Sequence, residues 1–489
     1  MRIIDKRTKI VATIGPASDT PETIRALIGA GVNVFRLNFS HSDPESAQAT
    51  IERIHAARAE TGLPIAVMAD IKGPAVRLYG YSQKLPLETG DALTIESMPI
   101  EDMGALVSPD PNRVYTNLPI IDELCAVGQR ILLMDGNIFG EVISKEEGNI
   151  TVRIDNAGEL RPRAHLTIPG VDYPIAFLSD KDIRDITFAV ESGVEYIALS
   201  FVRNATDIEE VRRLIQRVKM RTNRHHGAKL IAKIESAKGL AASGEIMDAA
   251  DGIMVARGDM GVEIAIQAVP IAQKKLIRTG FLNAKPVITA TQMLESMMES
   301  PLPTRAEASD VANACFDSTS AVMLSGETAI GRFPVKVVET MRDIIKAVEA
   351  EFDYDGFHKI MPEHARAGEM AAVMSYSALS VAREVNAAGI IVFTQTGRAA
   401  QLISRLRPRT PIFAFVREKT LYHQLAMNWG VCPFMIEEPQ ERTDALIAYA
   451  LERCKQEGVL KKGDVAVFVA GLPLMQKGTT NMIRVETVP

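Results

Sequence analysis

Lys229–Glu235 reads K-L-I-A-K-I-E, and Ala250–Glu263 reads A-D-G-I-M-V-A-R-G-D-M-G-V-E. Each opens as a short apolar run, the pattern of a buried strand, and each ends in charge. Side chains alternate along a strand, so Lys233 and Glu235, two positions apart, share a face. In the second stretch the I-M-V-A run stops at Arg257. Gly258-Asp259 then turns the chain and sets a carboxylate at the strand's C-terminal end. Glu235 and Asp259 together suit a hard divalent cation, which takes one or two carboxylates and keeps water for substrate phosphate. Lys233 would stand beside that cation, placed to neutralise a phosphoryl group in transit. The same spacing also fits a structural Lys–Glu pair, with Asp259 capping a helix. The rest of the chain decides between the two.

The same rhythm recurs outward from this stretch. Thr8–Gly15 is an apolar strand, followed by a helix with Thr20 as N-cap and Pro21 in its first turn. Val32–Asn38 is a second strand ending in Arg36 and Asn38, with Ser40 and His41 just beyond. Asp43-Pro44 opens a long helix to about Glu60, and Pro64–Asp70 forms a third strand. Such alternation specifies a parallel sheet with right-handed crossovers. After an interruption it resumes with strands at Val194–Phe201, Lys229–Glu235, Asp251–Ala256, Lys285–Thr291 and Ser320–Ser325. Eight such units specify a (β/α)8 barrel. The strand bodies are almost wholly apolar, whereas their C-terminal ends carry Arg36, Asn38, Asp70, Lys72, Ser200, Lys233, Glu235, Asp259, Thr291, Ser325 and Glu327. Barrel active sites sit at that face, and packing alone does not ask for a ring of polar ends. The barrel carries an active site.

The interruption begins at Gly73-Pro74. Short alternating segments follow, punctuated by E-T-G-D, S-P-D-P-N, D-G-N, E-E-G-N and D-N-A-G, the signature of an all-β insertion. Beyond about Asp355 a helix precedes strands at Gly389–Thr394, Pro411–Phe415, Val431–Met435 and Asp464–Ala470, and N-M-I-R-V-E-T-V closes the sheet's edge. The expected organisation is an α/β chain in three parts. Residues 1–72 and 171–354 form the barrel, 73–170 an inserted β-rich lid, and 355–489 a C-terminal doubly wound α/β domain. Two loops of the last part suit an anion: Thr394-Gln395-Thr396-Gly397-Arg398, between strand and helix, and Gly478-Thr479-Thr480-Asn481.

Composition narrows the functional classes. The 489 residues are 47% hydrophobic and 24% charged, with a net charge of −6. The most basic stretch, residues 217–227, reads as a solvated helix end rather than a nucleic-acid track. The N-terminus lacks an apolar signal core, and no run reaches the ~18 apolar residues of a membrane span. Cys125, Cys315, Cys432 and Cys454 are scattered, which argues against a zinc site or disulfide framework and suits a reducing cytoplasm.

The motifs R-T-K-I-V-A-T-I-G-P-A-S, F-R-L-N-F-S-H, D-x-K-G-P-x-x-R, I-A-K-I-E, D-G-I-M-V-A-R-G-D-M-G, A-T-Q-M-L-E-S-M, P-T-R-A-E-x-S-D-V-A-N-A and V-M-L-S-G-E-T-A occur in this order between Arg7 and Ala329. Together they resemble the pyruvate kinase family, and the likeness continues more loosely through the T-x-T-G-R and G-T-T-N loops. The resemblance implies phosphoryl transfer from phosphoenolpyruvate to ADP, giving pyruvate and ATP. It implies Mg²⁺ (or Mn²⁺) on Glu235 and Asp259, with Lys233 and Arg36 at the transferred group. Thr291 would lie beside the carbon that is protonated, ordering a water or proton relay. The backbone of Ala256, Arg257 and Gly258 would receive the substrate carboxylate. Asn38, Ser40, Asp70 and Ile71 match positions that hold a monovalent cation, and Asn38, His41 and Arg77 lie where nucleotide binds. Thr394, Thr396, Gly397, Arg398, Gly478, Thr479 and Thr480 fall where a phosphorylated effector would sit, and a homotetramer is implied.

The chain departs from that pattern at three lid-entry positions. Ile71 stands where threonine is usual, Ala75 where glutamate is usual, and Leu78 follows Arg77. Two of these remove an oxygen or a charge near the monovalent-cation positions, so turnover without K⁺ and at most modest activation by it are expected. Ala399 replaces a hydroxyl residue often set against effector phosphate. Two other classes compete: a pyruvate-dependent aldolase using Mg²⁺ and an enolate, and a catalytically idle sugar-phosphate-binding regulator. A lid makes little sense without a second substrate to enclose, and retention of Arg36, Lys233, Glu235, Asp259 and Thr291 together argues against idleness.

Overall fold

The computed structural model describes residues 6–40, 44–98, 107–222, 227–359, 369–438, 442–473 and 480–489. Eight parallel strands close into a barrel. They are β1 (Lys9–Thr13), β2 (Val34–Asn38), β3 (Ala66–Ile71), β4 (Tyr196–Leu199), β5 (Lys229–Ile234), β6 (Gly252–Ala256), β7 (Val287–Ala290) and β8 (Ala321–Leu324). Each pairs with the next in sequence, and β8 returns to β1. Alternation sorts the side chains. Val11, Met68, Ala198, Ile231 and Met254 fill the barrel interior, while Ile10, Ala12, Ile197 and Leu230 face the surrounding helices. Helix α1 (Pro21–Ala30) starts as its sequence directs: Thr20 accepts a hydrogen bond from the Thr23 N–H, and Pro21 occupies the first turn. Helix α2 (Pro44–Thr61) leads back into β3.

Between β3 and β4 the chain builds a separate seven-stranded sheet and a two-stranded ribbon around their own apolar core. One element departs from the all-β expectation. Ile121–Leu124 makes a single helical turn, because Ile120 adopts a left-handed φ of 52° and redirects the chain. The entry to this lid is tied to the barrel. Gly73 has φ +67°, and a Cβ there would stand 2.6 Å from the Ser200 carbonyl oxygen, so only glycine fits. Its N–H donates to Asp182, which is also the partner in a capping box with Ser179.

The C-terminal sheet comprises β9 (Gly389–Phe393), β10 (Ile412–Val416), β11 (Val431–Met435), β12 (Val465–Ala470) and the antiparallel edge strand β13 (Met482–Thr487). Its order is β11-β10-β9-β12-β13, with an apolar core on each face. This is the doubly wound arrangement read from the sequence. The sheet's loops close the barrel floor, where strands begin. Lys9 donates to the Val431 carbonyl at 2.8 Å, and Tyr196 donates to the Gln424 carbonyl. Met427 inserts among the residues that fill the barrel interior. Among the described residues no helix is long and apolar enough to cross a membrane.

Candidate active site

At the opposite end of the barrel, the strand termini converge on one chain of charges. β2 brings Arg36, β3 brings Asp70, and β5 brings Lys233, with Glu235 just past its end. Asp70 sits between two cations. Arg36 Nε donates to its Oδ2 at 2.6 Å, and Lys233 Nζ donates to its Oδ1 at 3.2 Å. Lys233 also donates to Ser200 Oγ at 2.7 Å and lies 3.0 Å from Glu235 Oε1. Arg36 reaches Thr13 Oγ1 at 3.0 Å, and the Phe201 N–H donates to Glu235 Oε2 at 2.6 Å.

All four charged groups are buried, and the ionisation of Asp70, Lys233 and Glu235 reflects their neighbours. Burial alone would raise the Asp70 pKa, but Arg36 and Lys233 outweigh it and hold the carboxyl below its ordinary value. Burial likewise opposes the charge on Lys233, yet Asp70 and Glu235 raise its pKa further. Glu235 goes the other way. Burial first, then the nearby Asp259 charge, push its pKa up to about 8 against the pull of Lys233. Glu235 Oε1 meets Lys233 without hydrogen-bond geometry and accepts no hydrogen bond. A fully buried carboxylate oxygen without a hydrogen bond, electrostatically coupled to a second carboxylate, is a donor set that fits a hard divalent cation.

Asp259 lies in the first turn of α3 (Arg257–Glu263), which starts directly at the end of β6. The Gly258 N–H donates to Thr291 Oγ1 at 2.8 Å, and that hydroxyl donates to the Ala290 carbonyl at 2.6 Å. Thr291 and Gln292 have φ of +68° and +50°. Left-handed backbone at a β-branched residue costs on the order of 1–3 kcal/mol and persists only where neighbours enforce it. Arg257 is the enforcer. Its Nη2 donates to the Thr291 carbonyl at 2.5 Å and the Gln292 carbonyl at 3.2 Å. Its Nη1 is clamped by Asp310, at 2.8 and 2.6 Å, from α4 (Arg305–Phe316).

The remaining candidates spread outward. Asn38 Oδ1 accepts the Ser40 N–H at 3.1 Å, and the Ile71 carbonyl accepts from Ser200 Oγ at 2.8 Å. His41 lies outside the described residues. Arg77 belongs to the lid, where its Nη1 donates to the Arg163 carbonyl at 2.8 Å. Burial and then the Arg77 charge lower the Lys72 pKa, so the lid entry beside Ala75 holds a pair of neighbouring cations. The lid also approaches Asp259: candidate ligand atoms of Asp135, His165 and Asp259 all lie within 4.8 Å of one another. In the C-terminal domain, Thr394 Oγ1 accepts the Gly397 N–H at 3.0 Å, and Arg398 opens α5 (Arg398–Arg405) while pairing with Glu369 at 3.2 Å. Thr396 Oγ1 accepts the Arg398 N–H at 3.4 Å. Thr480 is described; Gly478 and Thr479 are not.

Sequence reasoning gave no role to Thr13, Ser200, Asp310, Asp135 or His165. Ser200 was visible as a polar strand end, and Asp310 lies within the P-T-R-A-E-x-S-D motif. Thr13, Asp135 and His165 carried no local signal, because their partners come from distant parts of the chain.

A closed eight-stranded barrel whose mouth gathers buried carboxylates, a lysine and an arginine beside an inserted β-domain has the architecture of a phosphoryl-transfer enzyme. Profiles of the pyruvate kinase barrel domain and the pyruvate kinase alpha/beta domain match residues 5–338 and 372–486. The pyruvate kinase of Geobacillus stearothermophilus is 38% identical over 492 residues, covering 99% of this chain and 80% of that protein. That of Chlamydia muridarum is 40% identical, covering 99% of this chain and 98% of the relative. The crystal structure of a pyruvate kinase from Cryptosporidium parvum superposes with a TM-score of 0.91 at 32% identity, covering 100% of this chain and 97% of the other. The chain belongs to the pyruvate kinase family. Its reaction is phosphoryl transfer from phosphoenolpyruvate to ADP, giving pyruvate and ATP.

Proposed function

We propose that the Arg36–Asp70–Lys233–Glu235 chain of charges, with Asp259 and Thr291, carries this transfer. The observation behind the reading is the placement of Lys233, held by two carboxylates and Ser200 at the barrel mouth. Glu235 and Asp259 would hold Mg²⁺ (or Mn²⁺), which when bound supplies positive charge to the phosphoryl oxygens. Lys233 and Arg36 present cations to the same group as it leaves one oxygen for another. They are preorganised by Asp70 and Thr13 and do not have to be recruited at the moment of reaction. The backbone N–H groups at the start of α3 receive the substrate carboxylate. Thr291, hydrogen-bonded to Gly258 in that cradle, orders the proton that converts enolpyruvate to pyruvate; its hydroxyl is too weak an acid to act alone.

The lid of residues 73–170 encloses ADP, with Arg77 facing the nucleotide beside Asn38 and His41. Asn38, Ser40, Asp70 and Ile71 form the monovalent-cation position. Ala75 adds no carboxylate there, and Lys72 with Arg77 supplies positive charge nearby, which supports turnover without K⁺. Thr394, Thr396, Gly397 and Arg398, with Gly478–Thr480, are the site for a phosphorylated effector, the sugar and nucleoside monophosphates being the preferred class. A homotetramer working in the cytoplasm completes the reading.

Pyruvate formation from phosphoenolpyruvate, followed with and without ADP, tests the central claim. Strict ADP dependence, lost in Lys233→Met, is expected. Pyruvate consumption with an aldehyde would favour an aldolase, and no turnover would favour a binding protein.

A further inference from the structure

A second cationic site lies at the barrel floor, where the C-terminal end of α2 meets α6 (Lys419–Gln424) of the C-terminal domain. A cleft of about 380 Å³ opens there, lined by His55, Arg58, Leu63, Lys419, His423 and Met435. Tyr422 pins its edge, donating to the Gly62 carbonyl at 2.8 Å. Arg58 fixes its back wall through the Ile65 carbonyl at 3.1 Å and Glu195 at 3.0 Å.

Three other polar groups of this cleft, on His55, His423 and Lys419, are poorly partnered. His423 is 3% exposed, and neither ring nitrogen makes a well-formed hydrogen bond, the nearby Ile65 carbonyl already accepting from Arg58; His55 Nε2 is also buried without a partner. Lys419 is exposed and makes no ion pair among the described residues. Buried imidazole nitrogens left unpaired carry a desolvation cost, and such groups in a folded protein call for an explanation. Burial, then the charges of Arg58 and Lys419, push the pKa of His55 down to about 4 and that of His423 to about 3; Glu52 and the Ile65 carbonyl act weakly the other way. The surrounding field is positive. Two fixed cations argue against a metal ion on these imidazoles and favour an anion.

We propose that this cleft binds a small phosphomonoester. A phosphate group offers three acceptor oxygens and close to two negative charges, which matches three separate donors on His55, His423 and Lys419. Leu63 and Met435 form an apolar wall for the organic part, and the volume lies in the range of small-molecule sites. The site is distinct from the Thr394–Arg398 loop. It adjoins the start of β3, the strand that carries Asp70 near its far end.

The test is calorimetric titration of the full chain with ribose 5-phosphate, using inorganic phosphate and ribose as comparison probes. The Arg398→Ala background removes the other candidate anion loop. Ribose 5-phosphate binding is expected to persist in that background and to weaken at least about tenfold on adding Lys419→Glu or His55→Asn. Lys419 is exposed, so its substitution reads binding without endangering the fold. Inorganic phosphate should bind more weakly than the ester, and ribose not at all. Loss of all binding in Arg398→Ala, or affinity unchanged by Lys419→Glu, overturns the site. Equal affinity for phosphate and ester overturns the organic part of the assignment.

Discussion

The two ends of the barrel each bury a lysine, and the two are treated in opposite ways. Lys233, at the mouth, lies within 3.2 Å of two carboxylates, and its pKa is raised. Lys9, at the floor, donates to the Val431 carbonyl, and burial lowers its pKa, with Cys432 and Glu349 only partly opposing. The same residue type thus carries a secured charge at one end and a poorly compensated one at the other. The first suits the proposed chemistry. The second joins two domains, a task a neutral group could share.

Exchanging both lysines for methionine breaks or sustains this contrast most directly. Lys233→Met should lower kcat by about a thousandfold or more through lost transition-state charge, while metal-dependent proton exchange into pyruvate stays measurable. Lys9→Met should leave kcat within about twofold and shift Tm only modestly, since an apolar isostere can replace a buried charge at little cost. A Lys9 variant that is folded yet inactive would collapse the comparison. Thr291→Ala should harm proton exchange more than phosphoryl transfer; equal loss of both reactions would refute the division of labour.

Next in size is the proposed metal pair. Glu235→Gln and Asp259→Asn each remove one of two charges offered to the cation. Activity should fall steeply at low Mg²⁺ and recover partly as Mg²⁺ rises, with Tm little changed. Asp259→Asn matching the unaltered protein at low Mg²⁺ would remove Asp259 from the set.

A smaller effect should follow from Asp310→Asn, which slackens Arg257 and with it the left-handed turn at Thr291. A fall in kcat of about tenfold, with KM for ADP unmoved, would mark Asp310 as a positioning residue. A change in Tm alone would make it structural.

Much of this contrast was legible in the residues. The barrel strands emerged within a residue or two because they are short apolar runs between helices, and Arg36, Asp70, Lys233 and Glu235 stood out as polar strand ends. The partners were not legible. Thr13 and Ser200 hold the two cations from other strands, and Asp310 acts on Thr291 through Arg257, so each role exists only after the barrel closes. The floor was silent for the same reason: Lys9 and His423 look like ordinary residues until a second domain buries them. Ile120 also hid the helical turn at Ile121–Leu124.

The smallest effect concerns acid. The folded-state pKa of His423, about 3, lies below the ordinary value of 6.5, so the unfolded chain takes up the proton first. Stability from this group is therefore intact above pH 6.5 and is lost as pH falls from there toward 3, by about 2 kcal/mol at pH 5. His423→Gln should flatten that part of the Tm–pH profile, while Lys233→Met should leave it alone. An unchanged slope would mean that His423 takes up its proton in the fold as readily as in the unfolded chain.

Met427 gives the floor a further meaning. Its side chain comes from the C-terminal domain yet packs with Val11, Met68, Tyr196 and Met323 inside the barrel. The two domains thereby share one apolar interior and cannot lose their packing independently. Heating should produce a joint melting transition for barrel and C-terminal sheet, and a chain ending before β9 would present an open greasy well that draws molecules together into aggregates.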